Sequence, residues 1–199
     1  MSSVNKRNLV VLQAKYNSKK AHKLAIKITD SWYRAQALAW IARYADDCSF
    51  DKFIKQALQA SFNNEDPYKI VGSSAWATRA MIERKKYKGI NAYISKLLQV
   101  SLTISNPVSR GDALFLLYQA IFPLKGIDQL VLDYLLSACE EMNSWKKPLI
   151  LRDVALIIAN RDLSQAYFIV GKMTEGRVKR QAKRYLLSKK FLDPRVFYW

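Results

Sequence analysis

The chain has 199 residues, of which 50% are hydrophobic and 25% are charged, so its composition is that of a globular protein rather than a disordered one. Its 33 Lys and Arg against 16 Asp and Glu give a formal net charge of +17, which attracts anionic partners but selects none of them by itself. Only 6 Gly and 5 Pro are present, which favours long helices over many strands joined by tight turns.

Helix starts follow one another at regular intervals along the chain. Two amphipathic helices are predicted first, at about residues 4–16 and 19–28. The next helices should begin near residues 31, 67, 107, 145 and 176, at steps of 36, 40, 38 and 30 residues between their capping residues. A repeat of this length indicates stacked helical hairpins. The residues before these starts, most of them good N-cap residues, are Asp30, Asp66, Asn106, Ser144 and Thr174.

Each interval contains two apolar stripes with the period of a helix, and no segment alternates long enough to form a strand. The last helix should cover about residues 176–190, and the aromatic tail "FLDPRVFYW" should then cover the exposed face of the last repeat, as terminal repeats require. We therefore predict about eleven helices in a single domain, 1–199. Its units are about 1–29, 30–65, 66–105, 106–143 and 144–173, with a cap of 174–199.

One phrase, Arg-x-x-Ala-Leu, recurs in three units, beginning at Arg34, Arg110 and Arg152, with degenerate copies at Lys69 and Lys179. The small Ala lets a neighbouring helix approach, and Leu fills the space beside it. The Arg, one turn earlier, can bond to the preceding turn or to the carbonyl end of a helix. We interpret the phrase as a strut between repeats, although a row of Arg that contacts a ligand is an alternative. The alanines expected to be buried are Ala37, Ala113 and Ala155.

Together, the period, the capped helix starts and this phrase resemble the HEAT-like and armadillo-like α-solenoids over about residues 20–190. The tetratricopeptide pattern fits less well, because its strict spacing and its regular Gly and Tyr are absent. The resemblance implies an all-α, right-handed superhelix of about five stacked helical hairpins. It also implies a non-enzymatic scaffold, which holds a protein or peptide on a long curved surface.

Three basic groups could bind an anionic partner, whether an acidic protein or nucleic acid, although solvated helix faces would explain them equally well. The first is a stripe at four-residue intervals in the second helix, the next is a turn between helices, and the last is the final helix. The N-terminal basic group is Lys19, Lys23 and Lys27; the turn basic group is Arg84, Lys85 and Lys86; the C-terminal basic group is Arg177, Arg180, Lys183 and Arg184.

Little in the sequence points to catalysis or to a bound cofactor. The single histidine, His22, lies among lysines, so we interpret it as an exposed surface residue, and it cannot complete a zinc site with two distant cysteines. Those cysteines, Cys48 and Cys139, are too few for a disulfide framework and are expected to be buried thiols in a reducing cytoplasm. Nucleotide-binding motifs are absent. We therefore expect no cofactor and no metal, and we favour a cytoplasmic protein without enzymatic activity.

The sequence also contains no apolar run long enough for a signal peptide or a membrane span. A second hypothesis remains open, because the chain is similar in fold class and charge to the HEAT-like DNA glycosylases of alkylation repair. No motif of that family can be matched residue by residue. A glycosylase site would draw on Trp32, Trp76 or Trp145 together with Asp112 or Asp153. A continuous basic groove would favour nucleic acid, whereas an aromatic groove with the basic residues elsewhere would favour a protein or peptide.

Overall fold

The computed structural model of the protein describes residues 1–195, and in this range it contains eleven α-helices and no β-strand. The all-α class predicted from the sequence is therefore confirmed for these residues. The helices are α1 (Ser3–Ala14), α2 (Ser18–Ala25), α3 (Ser31–Tyr44), α4 (Asp47–Phe62), α5 (Pro67–Glu83), α6 (Ile90–Leu102), α7 (Pro107–Ile121), α8 (Ile127–Glu141), α9 (Lys146–Ile158), α10 (Leu163–Lys172) and α11 (Arg177–Leu187).

Local capping explains why most of the repeated helices begin where the sequence predicts. Asp30, Asp66 and Asn106 each accept a hydrogen bond from a backbone N–H in the first turn of α3, α5 and α7, respectively. At the start of α9, the Ser144 Oγ accepts a bond of 3.3 Å from the Lys146 N–H. The five predicted starts are confirmed to within one residue, because the caps act over only a few residues of chain.

The eleven helices form two layers. Each odd-numbered helix contacts the next odd-numbered helix, from α1 through to α11, so that layer is continuous. Every even-numbered helix packs against its odd-numbered neighbours, but among the described residues α6 and α8 are the only successive even-numbered helices whose Cα atoms approach within 8 Å. The other successive even-numbered helices meet through side chains, as His22 meets Gln56, Phe62 meets Tyr93 and Gln129 meets Gln165. Each predicted unit thus contains one consecutive pair of helices, and α11 follows the last pair.

Small residues bring the odd-numbered helices together. Residues 35–42 of α3 and 71–78 of α5 are buried without interruption, and seven of these sixteen positions are Ala or Gly. Side chains of this size leave room for a neighbouring helix on more than one side. The predicted burial of the three alanines of the repeated phrase is confirmed, since Ala37, Ala113 and Ala155 are each 0% exposed.

In the first two copies of the phrase, the arginine binds a backbone carbonyl group in the segment that precedes its own helix. The Arg34 guanidinium donates to the Ile28 carbonyl at 3.4 Å, and the Arg110 Nε donates to the Ile104 carbonyl at 3.0 Å. Each acceptor lies six residues before its arginine, where the preceding helix has just ended. Carbonyl groups at such ends lack intrahelical partners, so the arginine satisfies a group that would otherwise need water.

The later copies diverge from each other. The Lys179 Nζ donates to the Met173 carbonyl at 2.7 Å, so this degenerate copy keeps the bond six residues back. Arg152 does not, because its guanidinium lies 2.7 Å from an Asp153 carboxylate oxygen and donates to Gln181 of α11 at 3.1 Å. In this copy the arginine therefore connects α9 to α11, the next odd-numbered helix, instead of binding a carbonyl group of the preceding segment.

Candidate functional site

A groove crosses α5, α7 and α9 on the side of the odd layer that faces away from the even-numbered helices. In α7, the groove residues Asp112, Leu116 and Gln119 form one stripe, and the core residues Leu114 and Leu117 lie on the other side of the helix. The groove encloses about 290 Å³. We call it the odd-layer groove; it is lined by Tyr68, Asp112, Phe115, Leu116, Gln119, Asp153, Ile157, Leu192, Asp193 and Arg195.

One wall of the odd-layer groove is aromatic. The rings of Trp32 and Tyr68 are stacked, with centroids 5.9 Å apart and planes inclined by 13°. Glycine at position 72 makes room for this arrangement, because a Cβ there would lie only 2.9 Å from Cη2 of Trp32 and 3.5 Å from Cδ1 of Leu116. At this point α3, α5 and α7 approach one another so closely that the tryptophan ring lies against the backbone of α5.

Two of the three carboxylates of the groove, those of Asp112 and Asp153, have cationic partners. The Lys146 Nζ donates to Asp112 at 2.7 Å, and this hydrogen bond, together with the charge of Asp112, raises the pKa of Lys146. Asp153 lies 2.7 Å from the guanidinium of Arg152. The groove therefore presents aromatic and aliphatic surface with carboxylates whose charge is largely balanced within the protein.

The same helix face continues beyond the groove toward the carboxyl ends of α3 and α5. Arg43 and Arg79 both bind the Glu83 carboxylate, at 2.6 Å and 2.9 Å. The Arg43 guanidinium also lies 4.1 Å from the ring centroid of Trp40, at the distance of a cation–π contact. The shared carboxylate balances one of the two positive charges, and the aromatic ring further fixes the guanidinium of Arg43 in place.

At the N-terminal end of this face, an arginine of α1 reaches over α3 and α5. The Arg7 guanidinium donates to the Gln36 side-chain oxygen at 3.1 Å and lies 5.7 Å from the Trp76 ring and 5.9 Å from the Tyr33 ring. Partial burial of the guanidinium lowers the pKa of Arg7 from its usual value. The contacts of Arg7 join the first three odd-numbered helices on the groove side.

The described part of the tail after α11 lies across the odd layer. The Leu192 N–H donates to the Leu156 carbonyl at 3.2 Å, and the Asn160 side-chain amide donates to the Leu192 carbonyl at 2.7 Å. The Arg195 N–H donates to the Gln119 side-chain oxygen at 3.2 Å. Residues 191–195 therefore contact α9, in the last repeat, and also reach α7 of the repeat before it. Residues 196–199 of the tail lie outside the described part of the chain.

The C-terminal basic group lies apart from the other two, because α11, which carries it, contacts only α9 and α10. The N-terminal and turn basic groups both lie near the start of α4. Lys19 of the first group acts electrostatically on Asp46, and Arg84 and Lys86 of the second bind the adjacent Asp47. None of the ten predicted anion-binding residues lines the odd-layer groove. An anion would have to span several repeats to meet the C-terminal group together with either of the others.

Within the turn basic group, Arg84 makes several bonds inside the protein. Its guanidinium donates to the carbonyl oxygens of Ala42 and Ala45 at 3.2 Å and 2.5 Å, and to the Asp47 carboxylate at 2.7 Å. Lys86 lies 3.5 Å from the same carboxylate. Arg84 thus caps the carbonyl groups at the carboxyl end of α3. Among the described residues, Lys85 is the only member of this group without an ion pair.

The C-terminal basic group has the opposite character. Its four side chains are exposed on α11, and none of them forms an ion pair with another described residue. The nearest acid in the chain, Glu175, pairs with Lys179 at 2.9 Å instead, and that bond lowers the pKa of Glu175. This helix therefore presents the largest set of unpaired cations among the three groups.

Two residue environments differ from the expectations for cysteine and histidine. Cys139 is buried, and burial raises the pKa of its thiol to about 12, but Cys48 is exposed in the first turn of α4. The prediction that both thiols are buried is therefore wrong for Cys48. His22 is half-buried, with its Nε2 2.9 Å from the Gln56 side-chain oxygen and its ring 5.1 Å from that of Phe53, so it is not a freely exposed surface residue.

The five residues considered for a glycosylase are divided by the fold. Asp112 and Asp153 line the odd-layer groove, and Trp32 stacks on its wall. Trp76 is buried, while Trp145 is 73% exposed at the start of α9. The residues of this surface that the sequence analysis missed are chiefly Tyr68 and Gln119, which line the groove, and Asn160, which binds the tail. The only available signal was the four-residue spacing of positions 68, 72 and 76 on α5.

Among residues 1–195, no group of three or more His, Cys, Asp or Glu side chains could hold a metal ion. Over the same residues, every helix is too short or too polar to cross a membrane. Comparisons of the chain with protein-family models, with curated proteins and with solved structures found no match.

Proposed function

We propose that this chain is a non-enzymatic, HEAT-like helical-repeat scaffold that holds a protein or peptide partner against its odd layer. The proposed architecture is a right-handed α-solenoid of five helical hairpins completed by α11. The layer spacing supports it, because the Cα atoms of successive odd-numbered helices approach within 8 Å throughout, whereas successive even-numbered helices mostly meet through side chains alone. A stack that is closer on one side curves toward that side, so the odd layer would line the inner surface, which such scaffolds use for binding.

The character of the odd-layer groove is the observation that carries this proposal. Its wall consists of Tyr68, Phe115 and Leu116, and two of its three carboxylates, those of Asp112 and Asp153, are balanced by basic side chains of the protein. The predicted anion-binding residues all lie elsewhere. An aromatic surface without a continuous field of positive charge suits a polypeptide better than a phosphate backbone, which needs several cations along one path.

The test compares two tyrosines that differ in position. The full-length protein with Tyr68→Ala and the matched variant Tyr87→Ala, in the exposed turn between α5 and α6, are used as baits beside the parent protein. We expect a protein partner recovered with the parent to be retained by Tyr87→Ala and weakened at least about tenfold by Tyr68→Ala, as for an interface aromatic. Equal binding by both variants, each with a parent-like helical spectrum, would refute the proposed site.

A second candidate is an anionic partner, an acidic protein or nucleic acid, on the C-terminal basic group. The unpaired cations of α11 favour it, because phosphate contacts release counterions and each contributes a slope of about −0.9 in log affinity against log salt. Replacing Arg177, Arg180 and Arg184 by Gln should flatten the slope for duplex DNA or heparin by up to about three units. An unchanged slope would mean that the net charge of +17 attracts polyanions without a defined site.

The alternative of a DNA glycosylase draws its support from Trp32, Asp112 and Asp153 at the groove. It requires that the parent protein release an alkylated base from duplex DNA and that Asp112→Asn abolish this activity. The tail across the groove and the ion pairs of both carboxylates make this alternative the weaker one.

A further inference from the structure

From Leu192 onward, the tail is held against the odd layer mainly through its backbone, whereas the Phe191 side chain packs against the core. Leu192 has both of its main-chain groups bonded, the N–H to the Leu156 carbonyl and the carbonyl to the Asn160 side chain. The next contact comes three residues later, where the Arg195 N–H donates to Gln119. None of these three bonds depends on the identity of the tail side chains.

The groups that bind the tail backbone lie at the ends of two successive odd-numbered helices. Leu156 belongs to the last turn of α9, where carbonyl groups have no intrahelical donor, and Asn160 follows just after that helix ends. Gln119 lies in the last turn of α7, and its side chain is almost completely buried. The acceptor and donor groups are therefore held by the helices and would remain in place without the tail.

The spacing of the contacts matches the spacing of the helices. An extended chain advances at most about 3.3–3.6 Å per residue, so the three residues from Leu192 to Arg195 span roughly 10 Å. Packed helices lie about 8–10 Å apart, which is the step from α9 to α7. An extended segment that runs along this layer can therefore place one bonded residue against each helix, with the bonded residues three positions apart.

The tail sequence is compatible with this register and is only lightly covered. Pro194 has no backbone N–H, and none of the three bonds needs an N–H at this position. Phe191 packs against the core, but Leu192 remains 39% exposed and Arg195 is also exposed, so little apolar surface holds residues 192–195 in place. A contact of these residues that consists mainly of three hydrogen bonds is weak enough to exchange with a competing segment.

We infer that the surface of α7 and α9 along the edge of the odd-layer groove binds an extended polypeptide segment by its main chain, and that residues 192–195 are its resident occupant. A partner segment displaces this occupant by taking the same register. It carries an aliphatic residue at the place of Leu192 and, as at Leu192 and Arg195, backbone N–H groups three residues apart, so proline is excluded from both places. This inference rests on the proposed function and specifies the partner for the same site.

The test uses the full-length chain and a fluorescein-labelled peptide of residues 189–199 as the probe. Leu192→Pro removes the N–H that binds Leu156 and should release the resident segment, while all eleven helices lie outside the changed position. We expect this variant to bind the peptide at least about tenfold more tightly than the parent, because the site no longer has an internal competitor. Arg195→Pro, which removes the N–H that binds Gln119, should act in the same direction.

Two controls locate the effect. Adding Asn160→Ala to Leu192→Pro should abolish the gain in affinity, and a peptide with proline at the place of Leu192 should not bind. Lys189→Ala, which changes an exposed residue before the segment, should bind the peptide as weakly as the parent. Parent-like melting temperatures would establish that each variant is folded.

Two outcomes would overturn the inference. One is equal peptide affinity for the parent, Leu192→Pro and Arg195→Pro; the other is a gain in affinity that survives Asn160→Ala. Neither result bears on the comparison of Tyr68→Ala with Tyr87→Ala, which tests whether any protein partner uses the groove. The failure of this inference and the failure of the proposed function are therefore distinguishable.

Discussion

The groove side of the odd layer and the exposed side of α11 both carry arginine and lysine, but the two surfaces use these residues differently. On the groove side, Arg43 and Arg79 share a carboxylate, and Lys146 binds Asp112. On α11, the four residues of the C-terminal basic group have no ion pair with any described residue. The first surface is packed and close to neutral, whereas the second is solvated and positive.

The difference shows that the number of basic residues in a helix says little about their availability. A cation near the end of a neighbouring helix finds unpaired carbonyl groups, as Arg84 does at the end of α3, and becomes part of the packing. A cation on the outer face of a terminal helix finds no such acceptors. Three tests exploit this contrast, beginning with the largest expected effect on stability.

Replacing Ala113 by Leu should disturb the close approach of the odd-numbered helices, on which the groove depends. Ala113 is 0% exposed, so the added atoms must displace neighbouring side chains, at a cost of about 1–3 kcal/mol in the free energy of unfolding. Denaturant titration followed by circular dichroism measures this value. Ala92→Leu, at an exposed position of α6, is the control and should stay within about 0.5 kcal/mol of the parent. Parent-like stability of Ala113→Leu would contradict the close packing of Ala113 against its neighbouring helices.

Replacing Arg84 by Met tests whether this member of the turn basic group serves packing rather than binding. Loss of the guanidinium leaves the carbonyl groups of Ala42 and Ala45 without their donor, and should lower the free energy of unfolding by about 1–2 kcal/mol. The salt dependence of heparin binding should not change. Lys88→Met removes an exposed charge from the same turn and serves as the control for stability. A flatter salt slope for Arg84→Met alone would assign Arg84 to an anion site.

Replacing Arg177, Arg180 and Arg184 by Gln should give the converse result. Because these side chains are exposed and form no ion pair with described residues, each change should alter the free energy of unfolding by no more than about 0.5 kcal/mol. The same variant should show the flattened salt slope for polyanions described above. A large loss of stability with no change in slope would reverse the contrast between the two surfaces.

The sequence determined the helices and the place where most of them begin. Asp30, Asp66 and Asn106 cap their helices by accepting bonds from N–H groups two or three residues away. The apolar stripes repeat with the helical period. Both features can therefore be recognised in a short stretch of sequence. The burial of Ala37, Ala113 and Ala155 could be predicted for a related reason. A repeated phrase marks equivalent positions, and the small residue marks the close contact.

Tertiary structure alone decided how the basic residues and the tail are used. Arg84 binds carbonyl groups about forty positions earlier in the chain. Arg152 and Arg110 each begin a copy of the same phrase, but Arg152 binds α11 instead of a carbonyl group six residues earlier. The aromatic wall and the bonds of Leu192 likewise join helices that are distant in sequence. Such contacts depend on the rotation of each helix about its own axis and on the order in which the helices stack, and a single sequence encodes neither as a local pattern.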